Sequence, residues 1–138
     1  MSVEKRLHEA RRWLEQAAAD LKAAGDSWRA GNHEWACFQC QQAGEKALKA
    51  LWIRDGHDPW GNSLLRLLEE HPDEAGRSRL APLRESASLL DKLYILTRHP
   101  NGLPDLTPSQ VYGEPDAIAA QAAADRFVAF VRAAFGSS

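Results

Sequence analysis

Seven apolar residues near the start of the chain constrain most of what it can fold into. Leu7, Ala10, Leu14, Ala17, Leu21, Ala24 and Trp28 recur at alternating steps of three and four. That spacing lays one apolar stripe along a helix of about seven turns. Gly31 stands just beyond, where a left-handed residue closes a helix, and Asn32 is placed to cap a second one. The pattern predicts a tight antiparallel hairpin. Its second helix runs from about His33 to Asp55, with Ala36, Cys40, Ala43, Ala47 and Ala50 forming a stripe of small side chains that lets helix backbones approach closely. Phe38, Leu48, Leu51 and Trp52 widen the apolar arc. An arc that broad calls for two neighbours, in the same bundle or in a partner chain.

Composition supports the same fold class. The 138 residues include 23 Ala and 17 Leu but only 4 Val, 3 Ile and 2 Thr. Helix formers dominate and β-branched residues are scarce, which excludes an all-β or Rossmann-type chain. After a turn-rich linker (Gly56 to Asn62), Ser63 is placed to cap a short helix reaching about Glu70. Residues 73–79 read as surface loop. A further helix is expected from about Pro82, with Leu83, Ala87, Leu90, Tyr94 and Thr97 inward, ending before Pro100. Residues 99–115, with four prolines, read as a long loop. Pro115 is expected to open a last helix whose inward face is Ala120, Ala123, Phe127, Phe130 and Ala134. The tail Gly136, Ser137 and Ser138 is expected to fray. The expectation is a single all-α domain over 1–138, an antiparallel four-helix up-and-down bundle with one short additional helix. No apolar run approaches the roughly 20 residues of a bilayer span and the first dozen residues are charged, so a cytoplasmic protein is expected.

The formal charge is −2, without the strongly basic field of a double-stranded nucleic-acid binder. Any contact with nucleic acid must rest on a local cluster. Cys37 and Cys40 form one CxxC inside a helix; structural zinc needs a second ligand pair, and a redox pair needs a helix N-terminus. Both read as small buried residues. The five histidines show no HxxxH spacing, so no metal or other cofactor is expected. Gln42, Lys46 and Lys49 share a face of helix two, and Glu45 pairs with Lys49 at i, i+4. By spacing alone this is a solvated face; the sharper reading is a cationic strip for phosphate or carboxylate. The segment from Tyr94 to Asn101 places Arg98, His99 and Asn101 at the mouth of the long loop. A cation at a helix end ordinarily offsets the dipole, yet these side chains can also hold phosphate or move a proton.

Two of these segments carry a resemblance. Helix two, ACFQCQQAGEKALKALW, resembles the QQAxEKxxKAL signature of small prokaryotic HEPN-domain proteins. LDKLYILTRHPN is similar to the Tyr-x-x-x-Arg-Tyr-Pro-Asp/Asn segment of the same branch. Gln42, Glu45, Lys46 and Lys49 match the first motif; Tyr94, Arg98, Pro100 and Asn101 match the second. The resemblance implies a helical bundle that pairs into a homodimer, often beside a minimal nucleotidyltransferase in a toxin–antitoxin-like gene pair; the lack of a long apolar run predicts no membrane role. Other HEPN branches are metal-independent RNases that use Arg-x4-6-His. Here His99 replaces the motif's Tyr, Asn62 stands where the family often has His, and positions 103–105 after Arg98 hold no His. Arg66 and His71 match that spacing, but in the wrong helix, and about one such match is expected by chance.

Three readings follow. The first is a dimeric accessory or toxin-like partner of a minimal nucleotidyltransferase, binding nucleotide, RNA phosphate or protein through Gln42, Glu45, Lys46, Lys49 and Tyr94. The second is a metal-independent endoribonuclease with Arg98, His99 and Asn101 as its catalytic set. The third is a helical adaptor without a ligand.

Overall fold

The computed structural model describes residues 2–94, 97–103 and 105–136. Helix α1, Val3–Arg29, opens at Ser2, whose hydroxyl accepts from the Lys5 amide at 3.2 Å. It closes before Gly31, which takes the expected left-handed backbone (φ 83°). Helix α2, His33–Arg54, follows. Asn32 holds the N-cap position, but its side chain makes no capping bond; only its carbonyl engages, accepting from Ala36. Shorter helices α3 (Leu64–Glu69), α4 (Glu74–Leu80) and α5 (Arg84–Asp91) come next. A single turn, α6 (Pro108–Val111), precedes α7 (Glu114–Gly136). The described residues contain no strand, and no helix among them is long and apolar enough to cross a membrane.

Cross-helix contacts give the directions. Lys46 meets Asp20 and Gln39 meets Ser27, so α1 and α2 are antiparallel. Cys40 lies beside Gln121 and Arg54 over Phe135, so α2 and α7 run parallel. Arg126 meets Ser86 and Arg79 lies over Phe130, so α4 and α5 oppose α7. The order is up, down, up, down, as expected. Both parallel members bury many alanines, small side chains that let two helices approach closely. Helix α1 flanks the pair on one side and α5 on the other.

The broad apolar arc of α2 is therefore spent within the chain, on α1, α7, α3, α5 and α6. It gives no independent argument for a partner subunit. The third strut differs from expectation in two ways. Residues 74–80 are helical rather than loop: Glu74 begins the helix and Arg77 and Arg79 end it, in accord with the dipole, although only Leu80 is buried. Pro82 then tightens the chain into a 3-10 turn, Ala81–Leu83, that leads into α5. Helix α5 stops at Asp91, well short of Pro100. Leu93 and Tyr94 amides reach back only three residues, and the side chains of Thr97 and Arg98 take the Leu93 and Tyr94 carbonyls. A continuing helix would give those carbonyls to backbone amides. Within the long loop, Pro100–Gly102 forms a 3-10 turn, and the Gln110 side chain accepts from the Thr107 amide at 2.9 Å to start α6. Pro115 is the second residue of α7, not the first. Gly136 ends α7; the expected fraying of Ser137 and Ser138 lies outside the described residues.

Candidate functional site

The motif residues of α2 form a buried polar relay. Gln41 is wholly inaccessible; its amide nitrogen donates to the Glu45 carboxylate (3.3 Å) and to the Asn62 carbonyl (3.2 Å), and its oxygen accepts from Gln42 (2.7 Å). Glu45, 5% exposed, receives Lys49 at 3.3 Å. Lys46 reaches across to Asp20 at 2.6 Å. This is not the solvated face that spacing suggested. A buried amide must find partners for both its ends, and Gln41 does so by tying α2 to the linker before α3. Lys46 and Lys49 also line two depressions of about 470 and 420 Å³ on either side of Trp13, each already held by its carboxylate.

The second segment folds back against the first. The guanidinium carbon of Arg98 lies 4.2 Å from the Phe38 ring centre and 5.0 Å from that of Tyr94, and the two rings are 6.4 Å apart. Its Nε donates to the Tyr94 carbonyl at 3.1 Å. Because α5 ends at Asp91, Arg98 does not offset a helix dipole; two aromatic rings hold it instead. Trp35 meets Phe38 edge-on at 6.2 Å. Beside Tyr94 lies a cleft of about 220 Å³, also lined by Asn62, Ser63 and Asp91, and Asn62 is the residue that Gln41 grips. His99 and Asn101 are both exposed, and no hydrogen bond joins either to Arg98 among the described residues. The structure thus joins Gln41, Gln42 and Glu45 to the Tyr94–Arg98 end through the Asn62 linker, while Lys46 and Lys49 face the Trp13 side. Phe38, Asn62 and Asp91 were not singled out from sequence as site residues. Phe38 carries a signal in hindsight, one turn before Gln41 and Gln42 on the same helix.

Other reactive side chains are engaged elsewhere. Asp55, His71 and Asp73 bring one ligand-type atom each within 4.8 Å of one another. His71, however, is fully buried with both ring nitrogens in use. Nε2 meets Asp55 at 2.8 Å and Nδ1 accepts from the Asp73 amide at 3.1 Å. A metal on either nitrogen would displace a hydrogen bond, so the set does not fit a metal as it stands. The same burial removes His71 as a base, and Arg66, its partner in the Arg-x4-His spacing, lies over exposed Trp60 at 4.6 Å. Burial pushes the Cys37 and Cys40 thiols up to about 12, so neither is a nucleophile near neutral pH.

Comparison with known proteins places this geometry. The HEPN domain family matches residues 10–134. The crystal structure of TT1696 from Thermus thermophilus is 41% identical, with a TM-score of 0.83 over 89% of this chain and 95% of that one. ST0689, described as an archaeal HEPN homologue, is 32% identical, with a TM-score of 0.75 over 90% and 95%. An HEPN domain protein of Thermotoga maritima is 28% identical, with a TM-score of 0.66 over 91% and 98%. None of the curated proteins matches the chain.

Proposed function

The chain belongs to the HEPN domain family, and on that premise we propose that it is a dimeric accessory or toxin-like partner of a minimal nucleotidyltransferase that binds nucleotide or RNA phosphate at its Arg98 end. The observation that carries this reading is the seat of Arg98 against Phe38 and Tyr94, with Tyr94 also lining a cleft whose Asn62 is bonded to Gln41 of the α2 relay. Arginine held on aromatic faces keeps its charge and offers in-plane donors, the arrangement that suits phosphate. Dimer formation and the nucleotidyltransferase partner rest on family membership, and the reading expects such a gene beside this one. The test is binding of a fluorescein-labelled single-stranded oligoribonucleotide. Arg98→Ala should weaken it at least tenfold while the variant remains helical by circular dichroism at the assay temperature, and equal binding by the variant would refute the site.

A metal-independent endoribonuclease is the second reading, favoured by exposed His99 next to Arg98. It requires RNA cleavage in EDTA that disappears in both Arg98→Ala and His99→Ala. The adaptor reading draws on the internal pairing of Lys46 and Lys49. It gains if neither the protein nor a co-expressed nucleotidyltransferase shows binding or cleavage.

A further inference from the structure

We propose that Phe38 is a positioning residue: with Tyr94 it forms an aromatic notch that holds Arg98 as an end-on fork for a phosphate ester. This deepens, and rests on, the reading of Arg98 as the anion-binding group. A guanidinium carries five N–H donors in one plane. The Nε donor is already given to the Tyr94 carbonyl, which leaves the four hydrogens on Nη1 and Nη2. No described residue takes a hydrogen bond from these two nitrogens. The guanidinium carbon sits 4.2 Å from one ring centre and 5.0 Å from the other, with the rings themselves 6.4 Å apart and tilted by 40°. The cation is therefore seated where two ring faces converge, and not laid flat on one of them.

Three consequences follow from that seat. The two rings confine the guanidinium carbon from two directions. The carbonyl fixes its inner edge. What remains is the terminal edge, whose two nitrogens match two oxygens of one phosphate group. Lysine in place of Arg98 keeps the charge but has no plane to seat and no fork to present. Phe38 comes from α2, one turn before the Gln41 relay, so the notch also couples the two motif segments mechanically.

The test begins without ligand. In 15N-labelled protein the Arg98 Nε–H signal, identified by its loss in Arg98→Lys, should lie upfield of the other arginines through the ring currents. Phe38→Leu should return it to the ordinary arginine position; Phe38→Tyr should leave it in place. An Arg98 signal that is alike in wild type and Phe38→Leu overturns the notch. Titration with inorganic pyrophosphate then tests the fork. Phe38→Leu should bind about three- to tenfold more weakly than wild type, the range expected for loss of one cation–π contact. Phe38→Tyr should match wild type and Arg98→Lys should lose at least tenfold. Equal affinity in Phe38→Leu, with the ring-current shift abolished, overturns the positioning role. A shifted signal with no pyrophosphate binding by wild type overturns the fork and the anion reading together, while leaving the notch itself standing.

Discussion

Gly44 is where three helices meet across bare backbone. A Cβ there would stand 2.6 Å from a methyl of Leu64 and 2.9 Å from one of Leu90. Alanine gains about 1 kcal/mol of helix propensity over glycine, but overpacking a dense core costs about 1–3 kcal/mol. Gly44→Ala should therefore lower stability or leave it level in urea unfolding, and a gain of a full kcal/mol would show that the close approach is slack. The cysteines one and two turns earlier give a pH prediction. Their thiols stay protonated in the fold up to about 12, against an ordinary value of 9.0. The unfolded chain ionises them first, so their contribution to stability is complete below about pH 9 and is lost as pH rises toward 12. Cys37→Ala/Cys40→Ala should flatten that alkaline decline relative to wild type, measured by thermal unfolding between about pH 8 and 11. An unchanged slope would mean that the thiols reach water. Burial of Cys40 was legible because it stands in the small-residue stripe of α2, and that of Cys37 because the pair lies inside a helix without a second pair of ligands. The need for glycine at 44 was not, since spacing along one helix does not say which leucines stand opposite.

Helix α3 is only six residues long, and its start is held from a distance. The Asp91 carboxylate accepts from the Ser63 hydroxyl (2.7 Å) and from the amides of Leu64 (2.7 Å) and Leu65 (3.1 Å). Ser63 itself caps the Arg66 amide at 3.1 Å. A carboxylate on free amides at a helix N-terminus is favourable in both hydrogen bonding and charge. Asp91→Ala should cost about 1–3 kcal/mol in thermal or urea unfolding at neutral pH, and Asp91→Asn less, because one acceptor oxygen survives. A cost below about 0.5 kcal/mol for the alanine variant, the low end for a single hydrogen bond, would show that water replaces the carboxylate without loss. Ser63 was readable as a cap from its place before Leu64, Leu65 and Leu67. Asp91 was not, because it reaches α3 only after the chain has turned back. Helix α4 was hidden for a related reason: with one buried residue it carries no apolar stripe, and what holds it is Arg77 on the His71 and Pro72 carbonyls. Helix α5 showed the opposite error. Its stripe continues through Tyr94 and Thr97, but the helix ends at Asp91, after which the Leu93 and Tyr94 amides reach back only three residues.

At the scale of the molecule, the segment that follows α5 returns onto α2 at Phe38 and so brings together two motif segments that are some fifty residues apart in sequence. The fold class and the motif segments were legible; their meeting through Phe38 was not, because no spacing rule links α2 to a segment beyond α5. The same burial of α2 removes its apolar arc as a reason to expect a dimer. Net charge then separates the functional readings quantitatively. A chain at −2 with a single prepared fork has few phosphate contacts to offer, and each contact to single-stranded RNA contributes about 0.7 to the slope of log affinity against log salt. One chain acting alone should give a slope near about −0.7, and a dimer engaging one strand through both Arg98 forks a slope near about −1.4. Sedimentation equilibrium at the binding concentration fixes which case applies, since the chain mass is 15.3 kDa. A dimer with the shallower slope would mean that only one fork is used at a time. A slope steeper than about −4 would require a basic surface that the charge distribution lacks, and would end the account of Arg98 as the principal anion contact.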